Sequence, residues 1–203
     1  MFRHVPIKAV PAIRAELAAV GLGLEGADQS RDVRACTGGP VCSLALTPAQ
    51  GLAYRLLEQP ALVRNSGLRV SISGCPNSCA QHQIADLGLS GGTVTIGGIS
   101  MLGYQIWLGG DLRANTLGQT VGRVAETDVA AITEAIVGVW EALRREGETL
   151  SGTVDRVGIE GFGAQINAVF EGRWEPGDEP AETTAPTPDG NGRRLAAAGV
   201  PTR

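Results

Sequence analysis

The spacing of apolar residues predicts three helices, over residues 11–22, 48–58 and 127–145. Pro11 suits the first turn of the first helix, and Gly21 suits its C-terminal cap. The third pattern is the clearest, with apolar residues every three or four positions: Val129, Ile132, Ile136, Val139, Trp140 and Leu143. Each of these helices would therefore bury one face against a core.

Strand patterns lie between the helices. Residues 67–73 alternate apolar and polar side chains as a half-buried strand does, and residues 93–97 and 103–109 resemble two paired strands broken by glycines. Residues 2–10 resemble the end of a further strand, and residues 158–170 a last short element. Together these elements predict an α+β fold, a mixed or antiparallel sheet flanked by helices.

Composition narrows the classes of partner. The chain has 203 residues, 43% hydrophobic and 19% charged, with a net charge of −4. An acidic balance argues against nucleic acid and anionic membranes, which need a basic surface. No apolar run is long enough to span a bilayer, and the N-terminus lacks the features of a signal peptide, so a cytoplasmic protein is expected. The Pro-, Glu- and Thr-rich residues 176–203 are expected to be a disordered tail.

Four cysteines carry the candidate chemistry. They form two pairs, Cys36-x5-Cys42 and Cys75-x3-Cys79, with 32 residues between the pairs. Each pair lies in a loop containing Gly and Pro, and such loops leave backbone amides free to approach a cofactor. Because structural disulfides are rare in a reducing compartment, metal or redox chemistry is the favoured explanation. An iron-sulfur cube, which takes one thiolate per iron, fits this arrangement.

Core packing, zinc binding and disulfide exchange account less well for the cysteines. Packing cysteines usually lie on an apolar helix or strand face, and neither pair does. A structural zinc site favours two to four residues between paired ligands, which the first pair exceeds. Neither Cys-x-x-Cys nor a bacterial ferredoxin run is present, so a disulfide exchanger and a simple ferredoxin are both poorly supported.

The cysteine segments themselves resemble a known family. Ala-Cys-Thr-Gly-Gly-Pro-Val-Cys-Ser-Leu-Ala (35–45) and Ile-Ser-Gly-Cys-Pro-Asn-Ser-Cys-Ala-Gln (72–81) are similar to the two cysteine signatures of the siroheme-containing nitrite and sulfite reductases. Residues 106–110, the predicted helix 127–145 and residues 147–150 also resemble the C-terminal half of that family. The resemblance covers roughly residues 5–170 and implies the family's hemoprotein-like domain.

This resemblance implies a [4Fe-4S] cluster bound by Cys36, Cys42, Cys75 and Cys79, with Cys79 also bridging to a siroheme iron. Asn77 occupies a position where the family contacts siroheme, although it also suits a residue that caps its own turn. The implied reaction is six-electron reduction of nitrite to ammonia or of sulfite to sulfide. The implied donor is a ferredoxin-like protein or a flavoprotein.

The resemblance also divides the chain. Residues 1–24 would be the remnant of a ferredoxin-like half-domain, residues 25–175 the siroheme and cluster domain, and residues 176–203 the tail. The family's N-terminal half, which supplies most of the anion-binding Arg and Lys residues, has no counterpart here. Three explanations are open: the chain is a truncated product or fragment, it completes the site by self-association, or a second subunit supplies the missing half. A non-catalytic electron-transfer subunit and an oxygenase resembling precorrin-3B synthase are the alternative functions.

Five further residues near these motifs could serve a haem site. His82, three residues after Cys79, could donate a proton, but a lone histidine more often packs or lies on the surface. Tyr104 and Trp107 lie on a predicted strand, and we expect them to be core residues rather than a platform that stacks on a haem. Arg113 and Arg123 could pair with siroheme carboxylates, although solvated arginines are the more common case.

Overall fold

A single mixed sheet organises the chain. The computed structural model describes residues 4–22, 32–65, 67–170 and 174–176. Its six strands lie in sequence order: β1 (Arg34–Ala35), β2 (Val70–Ser73), β3 (Leu87–Ile96), β4 (Ile99–Leu108), β5 (Gln119–Ala125) and β6 (Trp174–Pro176). The first three strands are parallel neighbours, and the later ones pair antiparallel. The predicted α+β fold with a mixed sheet is confirmed.

The helices after the first one pack on one face of this sheet. They are α1 (Val10–Ala19), α2 (Ala49–Leu57), α3 (Pro60–Arg64), α4 (Val129–Leu143), α5 (Leu150–Val157) and α6 (Ile159–Val169). Apolar residues of α2 and α4 join those of the central strands in a single core, which includes Leu52, Leu56, Ile72, Leu89, Ile106, Ile132 and Ile136. Helix α1 differs from the others because none of its residues is buried.

The opposite face of the sheet is polar. Residues paired directly across neighbouring strands share a face. By that rule Ser73, Ser90, Gln105 and Arg123 form one row across β2 to β5. A second row runs from Ser71 through Gly88 to Trp107, and the segment 80–86 lies over it: a Cβ on Gly88 would be only 2.0 Å from the carbonyl oxygen of His82.

Most predicted elements are confirmed. The three helices appear as α1, α2 and α4, and the glycine-broken strands appear as the β3–β4 hairpin. Residues 158–170 form α6. The short α3, α5 and β5 were not predicted, because their patterns are brief and interrupted by polar residues.

Two strand predictions were wrong in detail. Strand β2 is buried on both faces, not half-buried, because it contacts both helix α2 and the segment His82–Ile84, which lies over the polar face of the sheet. Within residues 4–10 the structure has no strand: Ile7–Ala9 form a 3₁₀ turn that leads into α1 at Val10. Pro6 and Pro11 fix their own φ angles and lack the N–H that a strand ladder needs.

The structure describes the two ends of the chain only in part. Pro176, the first residue of the predicted tail, is the last residue of β6, and residues 177–203 lie outside the described residues. In the described part of the chain, no helix combines the length and the apolar character needed to cross a bilayer.

Candidate iron-sulfur site

Both cysteine loops leave the sheet at the same edge. Cys36 directly follows β1, and Cys75 follows β2 after one residue. Because β1 and β2 are parallel and adjacent, their C-terminal ends lie side by side. The fold therefore places side by side the starts of two loops that are separated by 32 residues of sequence.

Backbone hydrogen bonds lock the two loops to each other. The carbonyl oxygen of Gly74 accepts the amide of Leu46 at 2.8 Å and the amide of Thr47 at 3.2 Å. Within the first loop, the amide of Gly39 donates to the carbonyl oxygen of Thr47 at 3.0 Å. From the second loop, the amide of Gly74 donates to the Sγ atom of Cys36 at 3.1 Å. One amide of the second loop thus contacts a sulfur of the first.

Three glycines permit this close contact. A Cβ on Gly74 would lie 2.8 Å from the carbonyl oxygen of Thr47, and one on Gly38 would lie 2.6 Å from the amide nitrogen of Ala49. On β3, a Cβ on Gly91 would lie 2.1 Å from the Thr47 hydroxyl oxygen. Real Cβ atoms do not approach other atoms so closely, so any larger residue would separate the loops.

The second loop has its own internal support. Ser73 Oγ accepts the backbone amide of Ala80 at 3.2 Å, and the Ser78 hydroxyl donates to Gln83 Oε1. Ser78 and Gln81 both have left-handed backbone conformations, with φ of 58° and 55°. Such strained conformations cost free energy, and they persist where the surrounding structure fixes them.

The four cysteines differ in exposure. Cys75 is 8% exposed, Cys36 and Cys42 are half-buried, and Cys79 is exposed. Asn77 is exposed beside Cys79 on the same loop. The thiol with the most access to a further group is therefore Cys79.

The chemistry of the donors fits an iron-sulfur cluster. All four thiols are free of disulfides. Among the residues that the structure describes, no three His, Cys, Asp or Glu side chains converge as the ligands of a single metal ion. A cube spreads its ligands over more space than a single ion does, because each of its irons takes its own thiolate. The Gly74 amide at Cys36 Sγ supplies the kind of donor that stabilises sulfur ligands.

His82 is a packing residue in this structure. Its side chain is 1% exposed and lies against Trp107, with the ring centroids 5.3 Å apart. Burial lowers the pKa of His82 to about 4, so the ring is neutral near pH 7. A neutral, enclosed imidazole is poorly suited to donate protons to a site at Cys79.

The two candidate aromatic residues lie on opposite faces of β4. Tyr104 is fully buried in the core, and burial raises its pKa to about 12. Trp107 lies on the polar face, half-buried beneath His82. Tyr104 therefore belongs to the core, as the sequence favoured, whereas Trp107 supports the segment that returns from the second cysteine loop.

The two candidate arginines are far apart in the fold. Arg123 lines a cavity of about 400 Å³ together with Pro76, Ser90 and Gln105, beside the second cysteine loop. Arg113 lies in the turn after β4 and lines a different cavity with Arg34 and Arg69. Of these two arginines, Arg123 is the one that shares a cavity with Pro76 of the second cysteine loop.

Sequence reasoning missed part of the support of the site. Thr47 and Gly91 contact the loop glycine Gly74, yet no spacing in the sequence marks Thr47 or Gly91. Sequence reasoning also missed a buried ion pair at the opposite end of β2. There Arg69 makes a bidentate pair with Asp86 at 2.9 and 3.1 Å, and the Ser151 hydroxyl donates to Asp86 at 2.6 Å.

Comparison with known proteins agrees with this geometry. The family model described as "Nitrite and sulphite reductase 4Fe-4S domain" matches residues 26–173, which include both cysteine loops and all but the last strand of the sheet. The chain belongs to this family. The resemblance inferred from the cysteine segments is thereby confirmed, and the family description supports an iron-sulfur cluster.

Several members of the nitrite and sulphite reductase family are similar in sequence. The chain is 31% identical over 167 residues to a ferredoxin–nitrite reductase of Synechococcus elongatus, covering 81% of the chain and 29% of that protein. It is 36% identical over 116 residues to sulfite reductase [ferredoxin] 2 of Mycolicibacterium paratuberculosis, covering 53% of the chain and 21% of that protein. These relatives are oxidoreductases by name.

Solved structures agree on the fold. The Mycobacterium tuberculosis NirA protein superposes with a TM-score of 0.60 at 31% identity, covering 78% of this chain and 31% of that one. Dissimilatory sulfite reductase I superposes with a TM-score of 0.57 at 17% identity, covering 86% of this chain and 61% of that one. At this identity the superposition shows a shared fold alone. The chain thus spans less than a third of the curated relatives that it matches.

Proposed function

We propose that Cys36, Cys42, Cys75 and Cys79 bind one [4Fe-4S] cluster and that Cys79 also ligates the iron of a siroheme. The observation that carries the proposal is the set of hydrogen bonds that lock the loops together. The carbonyl oxygen of Gly74 accepts from the amide of Thr47, and the amide of Gly74 donates to the Sγ atom of Cys36. This lock supports two pairs of free thiols at one edge of the sheet. A cluster that draws one thiolate pair from each loop would explain why the loops are held so tightly.

The differences in exposure support separate roles for the cysteines. Cys75 is buried against the sheet, which suits a ligand that faces only the cluster. Cys79 is exposed, and Asn77 beside it is exposed as well. An exposed thiolate leaves room for a large macrocycle, whereas a buried one does not. Asn77 would then offer its amide to that macrocycle.

Arg123 would hold a siroheme carboxylate at this edge. It lines the cavity beside Pro76, where Gln105 and Ser90 add further polar groups. Arginine pairs with carboxylates through two parallel hydrogen bonds, so one such residue fixes both position and orientation. Arg113 does not share this role, because it lies at the other end of the strands.

The proposed reaction is the six-electron reduction of nitrite or sulfite, with electrons from a ferredoxin-like or flavoprotein donor. When bound, the two cofactors would supply single electrons and an iron that accepts the anion. The residues of this chain hold the cluster, shield Cys75 from water and present Cys79 outward. A second copy or a partner chain would complete the anion pocket.

A second candidate function is electron transfer without catalysis. The observation that favours it is the family model itself, which is described by the 4Fe-4S domain alone and whose match, residues 26–173, includes both cysteine loops. A module of this kind would bind the cluster and pass electrons to another chain. It would bind no siroheme by itself.

The test is the composition of the protein produced without oxygen in cells that make siroheme. We expect about four irons and four sulfides per chain, together with the visible absorption bands of siroheme. Iron and sulfide without haem bands would support the electron-transfer function instead. A colourless protein, or one loaded with zinc, would overturn both.

Single Cys→Ser variants assign the ligands. Cys36→Ser, Cys42→Ser and Cys75→Ser are each expected to lower both iron and sulfide content. Cys79→Ser is expected in addition to remove the haem bands. Ser43→Ala serves as the matched control, since Ser43 is an exposed neighbour of Cys42. Normal haem in Cys79→Ser would show that another residue ligates the siroheme.

A further inference from the structure

A small cavity on the polar face of the sheet is lined by three arginines. Its volume is about 180 Å³, and it lies between the edge strand β1 and the return segment of the second cysteine loop. Among the residues that the structure describes, the lining consists of Arg34, Arg69, Ser71, Ile84, Ala85, Leu112 and Arg113. None of these described residues is acidic, although the chain as a whole carries a net charge of −4.

The three arginines come from separate elements. Arg34 is in β1, directly opposite Ser71 of β2, so the two residues share a face of the sheet. Arg69 precedes β2, and Arg113 lies in the turn that follows β4. The turn is fixed, because the amide of Arg113 donates to Asp111 Oδ1 at 2.8 Å and Asp111 pairs with Thr116.

Arg69 forms a fixed wall of the cavity. Its Nε and Nη2 atoms donate to Asp86, Nη2 also donates to the carbonyl oxygen of Gly110 at 3.1 Å, and Nη1 lies 3.5 Å from Asp111. These contacts determine where the guanidinium lies. They also neutralise part of its charge, so most of the attraction for a ligand must come from the other two arginines.

Arg34 and Arg113 are the exposed arginines of this cavity. Arg34 contacts Asp32 at 3.4 Å, and an exposed ion pair of this kind contributes little free energy. Arginine donors in a planar fork match the oxygens of an oxyanion. The Ser71 residue, 4% exposed, adds a hydroxyl to the same lining. Two exposed guanidinium groups and a fixed third form a cradle for negative charge.

We propose that this cavity binds a small inorganic oxyanion of the sulfate, sulfite, phosphate or nitrite class. Its volume lies below the range of about 300–1,000 Å³ that is usual for cofactor and drug-sized pockets, so it suits a small ligand. The proposal does not rest on the iron-sulfur cluster. Arg34 nevertheless lies only two residues before Cys36, so an anion here would lie near the first cysteine loop.

The test is calorimetric titration of the full chain with sodium sulfate, with sodium chloride used to hold the ionic strength constant. We expect saturable binding that weakens about tenfold in Arg34→Gln and again in Arg113→Gln, the loss of one charge-assisted contact each. Arg14→Gln is the matched control, because Arg14 is exposed on α1 and its replacement removes the same charge. Parallel titrations with phosphate, nitrite and sulfite identify the preferred anion.

Three outcomes would overturn the proposal. One is the absence of saturable binding of all four anions by the unmodified chain. Another is an equal loss of binding in Arg14→Gln, which would show a general charge effect. The third is unchanged binding in both Arg34→Gln and Arg113→Gln, which would place the anion elsewhere, for example at the proposed siroheme.

Discussion

The backbone amide of Gly74 lies 3.1 Å from the Sγ atom of Cys36 and donates a hydrogen bond to it. The two residues belong to different cysteine loops. An amide aimed at a sulfur ligand stabilises negative charge on that sulfur and tunes the potential of a cluster. Gly74 therefore both joins the two loops and stabilises negative charge on the sulfur of Cys36.

Replacing Gly74 by alanine should separate the loops. The added Cβ would lie 2.8 Å from the carbonyl oxygen of Thr47 and 3.2 Å from the Cα atom of Gly38, and neither backbone atom can move freely. We expect the free energy of unfolding to fall by about 1–3 kcal/mol, the usual cost of overpacking. The iron and sulfide content per chain should fall as well, as chemical assay of the purified protein would show.

Gly138→Ala is the control for this prediction. Gly138 lies in the middle of α4, and a Cβ there would meet no atom within 4 Å. Alanine should stabilise the helix by about 0.5–1 kcal/mol without changing iron content. If Gly74→Ala retained full iron content, the lock between the loops would not be needed for the cluster.

Removing the Asp86 carboxylate should destabilise the fold strongly. Asp86 is 2% exposed and holds both Arg69 and the Ser151 hydroxyl, so Asp86→Ala leaves a partly buried cation without its partner. We expect a loss of about 3–5 kcal/mol, measured by urea unfolding. The Arg69 guanidinium, whose pKa is raised chiefly by its hydrogen bond to Asp86, has no second bidentate partner among the described residues.

Arg55→Ala is the matched comparison for the buried pair. Arg55 bonds Glu126 at 3.1 Å, but 49% of its side chain is exposed. Removing it should change the free energy of unfolding by no more than about 1 kcal/mol. A similar loss in both variants would mean that burial does not distinguish the two ion pairs.

Stability should depend on pH through His82. Its pKa is lowered to about 4 in the folded chain, whereas an unfolded chain has its ordinary value near 6.5. The unfolded state therefore binds the extra proton first, so stability is full above pH 6.5 and falls as the pH drops toward 4. We expect a loss of the order of 1–3 kcal/mol across this window.

His82→Phe tests this dependence, because it keeps a flat ring against Trp107 and removes the titrating group. Urea unfolding at several pH values from about 4.5 to 7.5 should show a smaller slope in the variant than in the unmodified chain. His4→Gln is the control, since His4 is exposed. Equal slopes in His82→Phe and the unmodified chain would contradict the prediction.

The first cysteine loop carries an exposed apolar rim. Val41 is 74% exposed and Leu44 is 66% exposed. Replacing both with serine should leave the free energy of unfolding within about 0.5 kcal/mol, because these side chains lose little burial. If a second copy or a partner covers this rim, the same variant should dissociate more readily in sedimentation velocity. A large loss of stability in the isolated chain would show that the rim is already covered by its own residues.

Local patterns were sufficient for most of the secondary structure. The apolar positions of α4 were correctly placed, because a long helix repeats its pattern over several turns. Strand β2 was predicted to be half-buried and is buried on both faces. Burial of a strand depends on its neighbours, and β1, only two residues long, gives no pattern of its own. Arg113 and Arg123 looked alike in sequence, because their different surroundings are set by distant parts of the chain.

The sequence by itself determined the chemistry of this protein: four cysteines in two glycine- and proline-containing loops, and their resemblance to the nitrite and sulfite reductases. Residue type and spacing are local properties, so they can be read without a fold. Only the tertiary structure decided which residues join the loops and which arginines share a cavity. Thr47, Gly74 and Gly91 are distant in sequence, and their contact arises because parallel strands place their ends at one edge of the sheet.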